Sequence, residues 1–236
     1  MTAIAAIRYF SRDYLLSFRY FAPLTVYLFA VVFVYGVVPN PIMPSFSFTV
    51  TVLFVVSAWI GFGYIDLEHE SQQMITRLRF KSFASYYGLK LVPLAALSVV
   101  LSVISVVYPT WGDKFTGMPN AQELWTALVC HVGLAGMGSA AGILFTRKWF
   151  PKWYIAWGGV VIFVVISLAG SSIVNGAPSS LRFIEWLLPP LFRTMEMLNR
   201  YEELTSYEKI MGMAMPYVYS LVLVMIFIAG MSRKRM

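Results

Sequence analysis

The length of the uncharged stretches constrains this sequence more than any other feature. Residues 21–65 contain no Asp, Glu, Lys or Arg, and further uncharged runs follow at 91–112, 124–146, 153–181 and 210–232. A helix that crosses a bilayer needs about 20 mostly apolar residues. Charged residues make up only 12% of the chain, about half the share found in soluble domains. The sequence therefore predicts a polytopic membrane protein.

The first uncharged run is divided by "PNPIMPS" (39–45), whose three prolines end one helix before the next begins. We therefore expect an all-α fold in a single domain, 1–236, with an N-terminal interfacial helix over 1–20 followed by six transmembrane helices. The expected spans are 22–38, 47–65, 91–110, 124–146, 153–173 and 211–231.

Loop charges predict the orientation of these helices. One set of alternate segments, 1–20, 66–90, 147–152 and 233–236, holds 13 Lys/Arg and 4 Asp/Glu, whereas the opposite set holds 5 and 7. Because cytoplasmic loops carry the excess of Lys and Arg, both termini and the 66–90 loop are expected in the cytoplasm. The basic balance then reflects topology, and we expect no nucleic-acid partner.

Two segments outside the spans have their own amphipathic character. In the N-terminal segment, three arginines share one helical face and four apolar residues share the other: Arg8, Arg12 and Arg19 against Ile7, Phe10, Tyr14 and Phe18. This pattern is typical of an interfacial helix with its aromatic rings in the acyl boundary, although a charged lead-in that only fixes orientation is the alternative. Residues 174–209 are too charged to span and too apolar for a free linker, so we expect an outer, partly re-entrant element of two short helices.

The sequence contains few residues or motifs that could catalyse a reaction or bind a metal or cofactor. It has one cysteine, Cys130, and two histidines, and it lacks His-Glu-x-x-His, a serine-protease constellation and the Gly-x-x-x-x-Gly-Lys-Ser/Thr phosphate loop. We therefore expect no catalytic, cofactor-binding or metal-binding residues. His131 is interpreted as an ordinary interior residue, with a lumen-facing role as the alternative. Gly138 and Gly142 in "GMGSAAG" form a small-x-x-x-small pair, which predicts close helix packing.

The stretch "DLEHESQQMITRLRFKS" (66–82) is unusually polar for this chain. Its acids precede its bases, an order that complements a helix dipole, and Met74, Ile75 and Leu78 form one apolar face. We expect a helix from about Glu70 to Phe83. Two interpretations remain open: an interfacial anchor, or a docking surface for a cytoplasmic partner.

Several features together resemble a known family. They are the interfacial helix, the six spans, the outer re-entrant element, the pattern E-x-E-x-x-x-x-I-x-x-L from Glu68 to Leu78, and the following "SFASYYGLKL" (82–91). This architecture is similar to that of the permease subunit of type-2 ATP-binding-cassette (ABC) exporters. In that family an acidic residue and then a small or polar residue begin the coupling helix, and a lysine opens the third span. Glu68, Glu70, Ser71 and Lys90 lie at matching positions, whereas the family's frequent Gly-Thr is here Ser71-Gln72.

The resemblance implies a function, partners and a site. The chain would be a bacterial inner-membrane permease that exports an amphipathic or hydrophobic substrate, with a peptide favoured over a lipid-linked molecule or a drug. It would not be an enzyme itself, because ATP and Mg would bind to a separate cytoplasmic ABC ATPase subunit. Further partners would be a second permease copy or a paralogue, and membrane lipids. The implied coupling helix covers 66–82, and its ATPase-coupling interface comprises Glu68, Glu70, Ser71, Gln72, Gln73, Ile75, Arg77 and Leu78.

Two other functions remain as alternatives. One is a membrane immunity or scaffold protein that binds a peptide or lipid without transporting it. The other is a membrane enzyme, which the lack of a convergent nucleophile, base and oxyanion donor disfavours.

Overall fold

The computed structural model describes residues 2–176, 178 and 183–233. Over these residues the regular structure is helical, apart from one isolated bridge between Asn40 and Phe115. The helices are α1 (Ala3–Ser17), α2 (Phe21–Val34), α3 (Ile42–Ile65), α4 (Glu70–Arg77), α5 (Phe83–Trp111), α6 (Ala121–Leu144), α7 (Trp153–Leu168), α8 (Gly170–Gly176), α9 (Ile184–Leu187), α10 (Leu191–Asn199) and α11 (Ser206–Arg233).

Within the described residues, four helices are long and apolar enough to cross a bilayer alone: α3, α5, α6 and α11. The number rises to six if two bent pairs are each counted as one span, namely α1 with α2 and α7 with α8. The outer surface of the bundle fits this assignment, because α5, α7 and α11 expose rows of Val, Ile and Leu. A soluble monomer rarely exposes so large a contiguous apolar area. The protein is therefore an all-helical protein with the character of a multi-pass membrane protein.

Several helix bounds differ from the expected spans. Helix α5 begins at Phe83 instead of 91, because Ser82 caps it by accepting a hydrogen bond from the Ser85 amide at 3.1 Å. The expected span 153–173 is broken, since α7 ends at Leu168 and α8 follows at an angle of 60°. The Phe192 ring of α10 lies against Gly170 at this bend. Part of the expected outer element 174–209, residues 177 and 179–182, lies outside the described residues.

Helix α1 lies across the end of the bundle at 78° to α2. Its aromatic face was expected in the acyl boundary, and for two residues the structure corrects this expectation. Phe10 and Tyr14 are buried within the protein, with ring centroids 5.6 Å from Tyr86 and 4.9 Å from Tyr64 respectively. Aromatic edge-to-face contacts with α5 and α3 therefore fix α1 to the bundle.

The centre of the fold is the contact between α3 and α6, the two most buried long helices. Gly138 lies against the carbonyl of Phe54, and Gly142 lies against the backbone of Ala58 and Phe62. A Cβ at position 142 would be 2.7 Å from the Phe62 nitrogen. The small-residue pair therefore lies where two helix backbones meet, the geometry expected of a small-x-x-x-small motif.

Some polar side chains inside the bundle bond to neighbouring helices. His131 is fully buried on α6, with Nδ1 2.7 Å from the Ala127 carbonyl and Nε2 3.0 Å from the Thr49 hydroxyl on α3. Ser98 on α5 lies 3.2 Å from Ser139 on α6. Such pairs join helices inside a bilayer, so His131 is an interior packing residue.

Candidate functional site

A buried ion pair occupies the junction where α3 passes into α4 and α5. The Lys90 ammonium lies 2.6 Å from Oε2 of Glu68, and both side chains are almost fully excluded from solvent. Lys90 also donates to the Ile65 carbonyl at 3.3 Å, the last residue of α3. Glu68 precedes α4 and Lys90 lies two turns into α5, so this pair ties the base of α4 to both long helices.

Tyrosine hydroxyls complete the shell around the Glu68 carboxylate. Tyr86 donates to the same Oε2 that binds Lys90, and Tyr9 of α1 donates to Oε1 at 3.4 Å. The Tyr9 hydroxyl in turn accepts from the Gln72 amide at 2.7 Å. A buried carboxylate is tolerated when it has such donors and a paired cation. The network therefore joins α1, α4 and α5 at one point.

Helix α4 has one face fixed to the protein and one face open. Gln73 is fully buried and donates to the Tyr87 hydroxyl at 2.7 Å, and Thr76 is buried beside it. On the opposite face Ile75 is 62% exposed and Leu78 at the end of the helix is 87% exposed. Helix α4 is thus attached to the protein on one side, and on the other side Ile75 and Leu78 form an exposed aliphatic surface for a lipid or a protein partner.

The eight residues expected in the coupling interface divide into two groups. Glu70, Ser71, Gln72, Ile75 and Leu78 are exposed, and Arg77 is half-buried with its guanidinium over the Phe83 ring at 3.1 Å. Glu68 and Gln73 are the exceptions, because their side chains are buried in contacts with Lys90 and Tyr87. These two side chains hold α4 in place and cannot form part of a docking surface.

Helix α4 is shorter than expected, ending at Arg77 instead of continuing towards Phe83. The last turn tightens as the Arg79 and Phe80 amides bond to carbonyls three residues back, at 3.1 and 2.9 Å. Phe80 then turns inward, with its ring centroid 5.4 Å from that of Tyr86. The half-buried Phe80 ring thus packs against α5 just after α4 ends, a contact that the local pattern does not reveal.

A second attachment joins the same end of α3 to the loop between α6 and α7. The two carboxylate oxygens of Asp66 accept from the Thr146 hydroxyl at 2.5 Å and the Arg147 amide at 2.6 Å. Lys148 follows in this loop, and burial, with a smaller contribution from Lys90, lowers its pKa from 10.5 to about 8. A displacement of the α3–α4 junction would therefore reach α6 as well as α5.

Tyr9 and Tyr86 were not identified from the sequence as parts of this site, and Asp66 lies in the predicted 66–82 segment but was assigned no contact. Tyr9 is 59 positions from Glu68, and no local pattern links them. The position of Tyr86 carries a weak signal, since Tyr86 and Lys90 are four residues apart and share a helical face. In the part of the chain that the structure describes, no three His, Cys, Asp or Glu side chains converge as metal ligands do.

The short helix α4 is therefore attached to α1, α3 and α5, and its outer face exposes aliphatic side chains. Comparisons with protein-family models, with curated proteins and with solved structures return no match to this chain. The function is therefore inferred from the geometry of this junction.

Proposed function

We propose that this chain is the membrane subunit of an ATP-driven exporter of the type-2 ABC class, and that α4 is the helix through which a cytoplasmic ATPase moves it. The observation that carries the proposal is the contrast between the two faces of α4. Its inner face is fixed by Gln73, its base by Glu68 and Lys90, and its outer face offers Ile75 and Leu78 beside Ser71.

This contrast suits a coupling element. A helix that receives a force must be rigidly attached to the elements it moves, and its contact surface must be open to the partner. The contacts of Glu68 with Lys90 and Tyr9 connect the base of α4 to α1, α3 and α5. Asp66 extends this attachment to the loop after α6. Motion imposed on Ile75 and Leu78 would thus be shared by several spans.

The remaining expectations form part of the same proposal. The positive-inside rule places α4 and both termini in the cytoplasm, within a bacterial inner membrane. The spans offer apolar and aromatic surfaces, which favour an amphipathic or hydrophobic cargo such as a peptide. ATP and Mg belong to the ATPase subunit, and a second permease, either a copy or a paralogue, would complete the pathway.

The proposal is tested by purifying the tagged full chain from its native membrane with the proteins bound to it. The wild type is expected to recover a stoichiometric ATPase. Ile75→Ala combined with Leu78→Ala should lower that recovery by about tenfold or more, since burial of an Ile or Leu side chain in an interface contributes about 1.5–3 kcal/mol. The matched control is Leu15→Ala with Leu16→Ala, which removes the same kind of exposed side chain from α1.

The variant leaves the buried contacts of Glu68 and Gln73 intact, so its melting temperature should match that of the control. Recovery of the ATPase by every variant would refute the α4 interface. Absence of an ATPase from the wild-type preparation would refute the exporter proposal and favour an immunity or scaffold protein, in which α4 is an interfacial anchor.

A further inference from the structure

A groove of about 380 Å³ lies beside the junction but separate from the α4 surface. Its floor is the last two turns of α3, with Trp59, Phe62 and Gly63. One wall begins at Arg19 before α2, and the other is the first turn of α7 with Trp153 and Trp157. The groove therefore lies at the end of the bundle where the spans meet their charged loops.

Two arginines belong to the lining of this groove. Nη1 of Arg19 donates to the carbonyls of Gly63 and Asp66 at 3.3 and 3.4 Å, which holds its guanidinium over the end of α3. Arg147 is exposed, and the described residues supply no partner to its guanidinium. Asp66, the acidic residue of the lining, has both oxygens occupied by Thr146 and the Arg147 amide. The lining therefore carries one net positive charge, and the exposed Arg147 guanidinium is available to an anion.

The rest of the lining is mainly aromatic. The ring of Trp157 stacks on Phe62 with centroids 5.1 Å apart and lies 6.2 Å from Trp59. Trp153 is 63% exposed. Tryptophan is enriched at the level of lipid headgroups, where its ring contacts acyl chains while its N–H remains hydrated.

We propose that this groove binds one anionic phospholipid of the leaflet on the 66–90 side. Its phosphate lies between Arg19 and Arg147, and an acyl chain lies along Phe62 and Trp157. Guanidinium groups bind phosphate through paired, charge-assisted hydrogen bonds. A free phosphate ion would leave the aromatic wall bare, whereas a lipid satisfies both halves of the groove. Basic pockets between spans on the cytoplasmic side bind anionic headgroups in this way.

The site is independent of the proposed function, because it requires only that the helices lie in a bilayer. The test uses the full chain in phosphatidylcholine vesicles to which a small fraction of a brominated lipid is added. The brominated lipid is phosphatidylglycerol in one set of vesicles and phosphatidylcholine in the other. Bromine quenches tryptophan fluorescence at contact, and Trp157→Phe identifies the part of the signal that comes from the groove.

The wild type is expected to prefer phosphatidylglycerol by about tenfold or more, since each arginine near an anionic lipid contributes roughly fivefold. Arg19→Gln with Arg147→Gln should reduce the preference to within about twofold. Arg147→Gln alone removes one side chain without touching the bond from its amide to Asp66, and it should cause an intermediate loss. The control, Arg8→Gln with Arg12→Gln, removes two exposed arginines from α1 at the same end and should retain the preference.

Three results would overturn the proposal. The first is equal quenching by both lipids in the wild type. The second is an equal loss in the Arg8/Arg12 and Arg19/Arg147 variants, which would indicate diffuse attraction of anionic lipid to the whole basic end. The third is no quenching of Trp157 by either lipid, which would indicate that a second copy of the chain or a cargo molecule covers the groove.

Discussion

Removal of the Lys90 charge is expected to destabilise the protein strongly, although α4 and the spans keep all their backbone hydrogen bonds. Lys90→Met retains most of the aliphatic stem and deletes the ammonium. The Glu68 carboxylate then stays buried with the hydroxyls of Tyr86 and Tyr9 as donors and with its cation lost.

The magnitude follows from the geometry. At 2.6 Å and an effective dielectric of about 20, the attraction between the two charges is about 6 kcal/mol, and part of it is offset by the desolvation of the ammonium. Loss of one partner from a buried pair costs about 3–5 kcal/mol. For a chain of this size each kcal/mol lowers the melting temperature by about 2–4 °C, so the variant should melt about 6–20 °C lower.

The single cysteine supplies the assay. Cys130 is fully buried in α6, so a dye that fluoresces on reaction with thiols reports unfolding of the detergent-solubilised protein. The control is Lys81→Met, which removes an exposed lysine from the same end of the molecule and should change stability by less than about 0.5 kcal/mol.

The double variant Glu68→Gln with Lys90→Met distinguishes the ion pair from a simple packing effect. Because the double variant leaves no uncompensated charge buried, it should recover to within about 2 kcal/mol of the wild type. Equal melting of Lys90→Met and Lys81→Met would refute the reasoning. A double variant less stable than Lys90→Met would refute it as well, since it would show that Glu68 contributes through contacts other than Lys90.

Two further predictions concern packing and pH. Gly142→Ala forces a methyl group against the Ala58 carbonyl and should cost about 1–3 kcal/mol. Gly88→Ala places its methyl group in open space and should stabilise α5 by up to about 1 kcal/mol. Equal melting of the two variants in the Cys130 assay would contradict the close approach of α3 and α6. Because the pKa of Lys148 is lowered to about 8, the folded chain binds fewer protons than the unfolded chain between about pH 8 and 10.5, and stability should rise with pH there. The wild type should therefore gain stability relative to Lys148→Met between pH 7.5 and 9.5, and a constant difference across that range would contradict it.

The sequence by itself determined the class of protein and the approximate position of its helices. Uncharged runs long enough to cross a bilayer leave few folds available, because an unsatisfied backbone group in hydrocarbon is costly and helices satisfy their own. The same local physics identified the glycine pair at 138 and 142, since only small residues allow two helix backbones to approach closely. It also located an amphipathic helix with Ile75 and Leu78 on one side.

Only the tertiary structure decided what each side of that helix contacts. Local periodicity marks a residue as polar or apolar, but it does not reveal a partner from a distant segment. Glu68 and Gln73 are polar and were expected on the surface, yet Lys90 and Tyr87, from the following helix, bury both. Phe10 was expected in lipid and is buried against Tyr86, because a ring can leave water equally well in a bilayer or in a protein core. The arginines of the groove, Arg19 and Arg147, are 128 positions apart, and only the bend after α1 and the short loop after α6 bring them to one end of α3.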